Sequence, residues 1–113
     1  MRSTMSIALC AAALLAAAPV RADAPPAVQT KESQAAMTPD AALAMLKAGN
    51  ERFVEGRPLR RDGLQQVRQT SAGQFPVAAI LGCIDSRVPP EMVFDTGIGD
   101  VFAARIAGNA LDD

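Results

Sequence analysis

Hydrophobic and polar positions change rhythm several times along the chain, and each change marks a different kind of segment. Ile7 to Ala18 is an unbroken apolar run rich in Ala and Leu, preceded by Arg2 and followed by Pro19. It is too short to span a bilayer, which takes about 20 apolar residues. A short positive start, an apolar centre and small residues at Ala22 or Ala24 predict an export signal over residues 1–22. The expected destination is the periplasm, with no stable membrane anchor. Residues 23–37 are Ala, Pro, Gln, Ser and a few charges without a sustained period, which predicts a flexible lead-in outside the core.

A helical period then sets in. Thr38-Pro39-Asp40 supplies a capping hydroxyl, a proline at the first helical position and a carboxylate in the first turn. Ala42, Leu46, Gly49 and Phe53 recur at helical spacing, widened by Leu43 and Val54, so the helix is expected to run to about Glu55. Gly56 and Pro58 stop it. Arg57 to Arg61 reads as a solvated basic turn. A second short helix is expected from Asp62 to about Ala72, with Leu64 and Val67 inward.

After Pro76 the period is lost. Val77 to Ile84 is continuously apolar and of strand length, and Val101 to Ile106 is a second such segment. Continuous apolar runs fit parallel strands covered on both faces. Pro89 to Asp95, between them, reads as a short helix with prolines at its start. Strand, helical crossover and strand predict an α/β fold with a parallel sheet, preceded by the helix that begins at Thr38. With residues 38–113 as one domain, the length suits a single core.

Charge and composition narrow the chemistry. A formal net charge of −1 and the lack of a basic stripe argue against nucleic-acid binding. The sequence contains no His, which removes Ser-His-Asp triads, Cys-His dyads and His-based metal sites within these residues. Cys10 falls in the export signal, leaving Cys83 as the thiol of the mature chain. Oxidising surroundings make a free thiol a liability, so Cys83 is either buried and inert or protected, for example by a metal.

Cys83-Ile84-Asp85-Ser86-Arg87 sits where the first strand ends, and open parallel sheets bind ligands at the carboxyl ends of their strands. In extended backbone Cys83 and Asp85 point to the same side. Thiolate and carboxylate are both zinc ligand types. Arg87 can form a two-pronged pair with Asp85, holding the carboxylate off a metal. Each feature also has an ordinary structural explanation. A Cys ending a strand serves as a small core hydrophobe, and an Asp-Ser-Arg turn serves as a local salt bridge.

The segment Cys83 to Pro89 resembles the C-x-D-S-R-V-P signature of β-class carbonic anhydrases. Flanking blocks resemble that family in the same order. They are Gly49-Asn50-Glu51-Arg52-Phe53, Gln74 with Pro76 ahead of the first strand, Gly97 to Phe102, and Arg105-Ile106-Ala107-Gly108-Asn109. The last block has Ile106 where the family usually has Asn. The resemblance implies reversible hydration of carbon dioxide to bicarbonate, with zinc lowering the pKa of a bound water to about 7. It implies Cys83 as a zinc ligand and Asp85 as a conditional ligand or hydrogen-bond acceptor. It further implies Arg87 as the partner of Asp85, Gln74 as a substrate-positioning residue, and a homodimer or larger homo-oligomer.

The family's remaining ligands form an H-x-x-C motif downstream of these blocks, which residues 1–113 do not contain. Two protein ligands fall short of the three a catalytic zinc normally has. The expectation is a chain cut short of its zinc site, inactive and poorly folded alone. Two other readings keep the fold. One is a related activity on carbon disulfide or carbonyl sulfide; the other is a non-catalytic structural or binding relative. Mass measurement on the exported protein is expected to show a mature chain starting at Asp23 or Pro25, whereas an intact Met1 in the periplasmic fraction contradicts export.

Overall fold

The computed structural model describes residues 25–110, so the segment read as an export signal lies outside the described residues. In chain order the elements are α1 (Lys31–Ala36), α2 (Pro39–Val54), α3 (Gly63–Gln69), β1 (Ala78–Cys83), α4 (Pro90–Val93) and β2 (Val101–Ile106), followed by a 3₁₀ turn at Ala107–Asn109. β1 and β2 form the expected parallel pair, in register from Ala78 opposite Val101 to Cys83 opposite Ile106. Both strands therefore end at the same edge, and the turns that follow them lie side by side. No described helix is long and apolar enough to cross a membrane.

α1 falls inside the segment read as a flexible lead-in. Its start is closed by a capping box between Thr30 and Ser33. It buries no residue, but Gln34 donates to the Pro76 carbonyl oxygen at 2.6 Å and ties it to the entry of β1. α2 begins as its sequence predicts. The Thr38 hydroxyl accepts from the Ala41 N–H at 3.2 Å, a cap worth about 1 kcal/mol. The helix ends at Val54, and Gly56 follows with φ 67°.

The expected apolar stripe of α2 is buried only at its small residues, Ala42 and Gly49, while Phe53 and Val54 stay exposed. Gly in a helix costs about 1 kcal/mol relative to Ala. It is required here because a methyl group at Gly49 would overlap the Phe94 carbonyl oxygen. That close approach seats α4 on α2, and the Asn50 amide adds a hydrogen bond to the Val93 carbonyl at 3.0 Å.

Two expectations need correction. The Asp62 carboxylate caps α3 at the Gln65 N–H, 2.9 Å away, but Leu64 and Val67 face outward. Gln66 is the residue turned inward, and its Oε1 accepts from the Ile98 N–H at 3.2 Å. The turn at Gly97–Gly99 needs a polar partner for its amide, and that requirement outweighs the apolar periodicity of a two-turn helix. The basic turn is not wholly solvated either, because Arg61 points inward and pairs with Asp95.

The strands are also less covered than continuous apolar runs predict. Among the described residues, Leu81, Phe102 and Ile106 remain exposed, and the buried apolar residues are Ala42 and Val101. Apolar burial is thus small, and polar contacts carry an unusual share of the organisation. The central one is Asp95, 5% exposed and at φ 44°. Its carboxylate meets Arg52 at 2.5 Å, Arg61, and the Leu59 N–H. Arg61 also donates to the Asp95 carbonyl at 2.6 Å.

Burial pushes the Asp95 carboxyl up, but hydrogen bonds from Arg52, Arg61 and the Leu59 N–H together hold it below its ordinary value. A carboxylate depressed in the folded state stabilises the fold above its unfolded pKa, and that contribution is lost as pH falls through the folded value. Asp95→Asn is therefore expected to destabilise by about 3–5 kcal/mol at neutral pH. It should also flatten the loss of stability below about pH 4. Urea titrations across pH check both effects.

Candidate metal centre

The shared carboxyl edge of β1 and β2 carries the residues singled out from the sequence. Ile84 makes a last bond to the ladder through its N–H, to the Ile106 carbonyl at 3.3 Å. The chain then bends away from the strand and turns at Ser86–Arg87. The bend points the Asp85 backbone N–H at Cys83 Sγ, 3.4 Å away. From the neighbouring turn, Gly108 at φ 70° directs its own N–H to the same sulfur at 3.4 Å. That left-handed conformation suits glycine.

These two donors, foremost the Asp85 N–H and then that of Gly108, lower the Cys83 thiol below its ordinary pKa. The positive charge of Arg105 acts in the same direction. Desolvation and the Asp85 charge oppose them. Cys83 is part-exposed and free of any disulfide. The two N–H groups shift the balance towards the thiolate, the form that binds metals and attacks electrophiles.

Asp85 and Arg87 form the predicted two-pronged pair. Arg87 Nε lies 3.0 Å from Oδ1 and Nη2 lies 2.6 Å from Oδ2, while the Arg87 N–H also reaches Oδ1 at 2.9 Å. The Arg87 side chain holds the Asp85 carboxyl below the usual carboxylate range, with its backbone N–H adding to the effect. The Arg87 side chain is 85% exposed, so solvent screens the pair and its consequence is local conformation rather than fold stability.

Gln74 is not brought to this edge. It sits in the loop ahead of β1, at the far end of a strand about 16 Å long, beside the Gly99 turn. Within this chain Gln74 and Cys83 therefore lie at opposite ends of β1. Conversely, Gly108 joins the sulfur although it has no side chain of its own. The signal that could have found it is a Gly-Asn pair one residue past a strand that runs parallel to β1.

The zinc implied by the resemblance can be tested against these contacts. Among the described residues no group of three or more His, Cys, Asp or Glu side chains is close enough to hold a metal. Both Asp85 oxygens are engaged by Arg87. The described residues fit one thiolate ligand with its surrounding donors and do not fit a complete zinc centre. Replacing Arg87 by Gln is expected to raise the titration point of the Asp85 carboxyl towards its ordinary value, as read by NMR of its side-chain carbon. No movement contradicts the pairing.

Known proteins resemble the chain over the same segment. The family sequence profile described as "Carbonic anhydrase" matches residues 78–113, which hold both strands and the turn between Cys83 and Arg87. The chain is 49% identical over 75 residues to "Carbonic anhydrase 2" of Mycobacterium tuberculosis, covering 66% of this chain and 36% of that protein. It is 45% identical over 76 residues to the "Carbonic anhydrase" of Mycolicibacterium smegmatis, covering 66% of this chain and 37% of that protein. "Beta carbonic anhydrase 1" of Caenorhabditis elegans is 33% identical over 55 residues, covering 49% of this chain and 20% of that protein. The chain spans about a third of the length of the mycobacterial relatives. Over residues 78–113, which span both strands and the cysteine turn, the chain is therefore similar to the carbonic anhydrases.

Proposed function

We propose that this chain serves reversible hydration of carbon dioxide to bicarbonate in a zinc-dependent carbonic anhydrase. The observation that carries this reading is the Cys83 thiol at the carboxyl edge of β1. Two N–H groups reach it, and it stands beside a carboxylate whose proton is kept off by Arg87. Cys83 is the zinc ligand in this reading, and Asp85 is held ionised next to it as an acceptor or conditional ligand. Arg87 decides which of these Asp85 does, because the same two oxygens cannot serve the guanidinium and a metal fully at once.

Gln74 acts on substrate in this reading only where its loop comes near the carboxyl edge of a β1 strand other than its own. Self-association as a homodimer or larger homo-oligomer belongs to the same proposal, as does export to the periplasm. Both rest on the sequence.

Residues 1–113 by themselves supply one thiolate at the site and one carboxylate already paired to arginine, fewer than the three protein ligands of a catalytic zinc. The purified 113-residue chain is accordingly expected to hold less than stoichiometric zinc and to leave carbon dioxide hydration at the buffer rate. Metal analysis and stopped-flow hydration check this; full zinc with robust turnover would falsify the donor count. In the full-length protein, Cys83→Ser is expected to lose bound zinc and to lower kcat/KM by at least about 100-fold. Retained zinc and activity would remove Cys83 from the site.

A further inference from the structure

The turn that presents Cys83 and Asp85 begins where strand bonding stops. Beyond the long Ile84–Ile106 bond, no ladder hydrogen bond fixes residues 85–86. Two donors from one side chain on β2 replace it. Arg105 Nε donates to the Cys83 carbonyl oxygen at 2.8 Å, and Arg105 Nη2 donates to the Asp85 carbonyl oxygen. We propose that Arg105 is the positioning residue of this site, setting the Cys83–Asp85 backbone by bracketing it with one rigid guanidinium.

The physical reason lies in the peptide plane. A fixed carbonyl fixes the whole planar unit that contains it. Pinning the Cys83 and Asp85 carbonyls leaves only the dihedrals of Ile84 and Asp85 between two held planes. Those dihedrals aim the Asp85 N–H at Cys83 Sγ and place the Asp85 carboxylate where Arg87 reaches both oxygens. A guanidinium spans two acceptors with donors in a fixed fork, whereas an ammonium is a single point with rotating donors. Both hydrogen bonds of Arg105 go to backbone carbonyls, so its geometric hold on the turn runs through the backbone, apart from the through-space effect of its charge. It is opposite Gly82 in the ladder, one position before Cys83, and this register brings its side chain within reach of both carbonyls. The family-level part of the inference, that the site is a zinc site, rests on the function proposed above; the backbone-holding role does not.

Hydrogen exchange on the metal-free full-length protein, read by mass spectrometry, tests the role in Arg105→Met and Arg105→Lys. Exchange in the segment 84–88 is expected to rise roughly tenfold or more in Arg105→Met and less in Arg105→Lys. Segment 92–97, around Asp95, and α2 should stay as in the unaltered protein. Unchanged exchange at 84–88 overturns the proposal, and so does a rise spread equally over all three regions, which makes Arg105 a general stabiliser. Should Arg105→Met fail to fold, Arg105→Lys decides, since one lost bond of the two still predicts a severalfold rise and no rise overturns.

Chelator competition on the same proteins adds a second readout. Zinc affinity is expected to fall about 10- to 100-fold in Arg105→Met and to recover in part in Arg105→Lys. Affinity unchanged in Arg105→Met overturns the link between the held backbone and the site. No zinc bound by the unaltered protein sinks the carbonic anhydrase reading instead, while the exchange comparison still decides the positioning role.

Discussion

The Asp95 carboxylate is the constraint on which the arrangement turns. With few apolar side chains buried among the described residues, one buried carboxylate shared by Arg52, Arg61 and the Leu59 N–H joins three separated stretches of chain. Removing a buried partner of such a group costs about 3–5 kcal/mol, a large fraction of the stability of a small domain. Asp95 reaches this role by leaving α4 in a left-handed conformation, which turns its side chain back towards α2. The Gly49–Phe94 approach and the Asn50–Val93 bond then fix α4 against α2, and α4 is the crossover that delivers β2 beside β1.

That delivery creates the site. A parallel pair brings two strand ends to one edge, and each end contributes something the other lacks. β1 contributes the thiol and the Asp85–Arg87 turn; β2 contributes the Gly108 N–H and the Arg105 guanidinium. The backbone N–H groups favour the thiolate, and the arginine pair favours the carboxylate. Both groups are thus shifted towards the charge state that suits a cation, although the described residues do not surround one.

Much of this was legible in the residues. Thr38 and Pro39 announced the start of α2 because capping chemistry is local. The apolar runs at β1 and β2 announced parallel strands because length and continuity are properties of a segment. The Asp85–Arg87 pair was legible because two residues apart in a turn is a short-range geometry. Burial within helices was less legible. Leu64 and Val67 have the periodicity of an inward face, yet Gln66 is the inward residue, since the Gly97–Gly99 turn demands an acceptor from another part of the chain. Arg61 looked like part of a solvated basic turn, because nothing near it in sequence shows that Asp95, 34 positions on, is its partner.

The sequence by itself determined the likeness to carbonic anhydrases, the parallel α/β character and the residues of the cysteine turn, because motif order and local propensity are written residue by residue. Tertiary structure alone decided that Gly108 and Arg105 share the edge with Cys83, and that Gln74 stands at the opposite end of β1. Those outcomes follow from strand register, Cys83 opposite Ile106, and register is fixed by contacts between segments more than 20 positions apart.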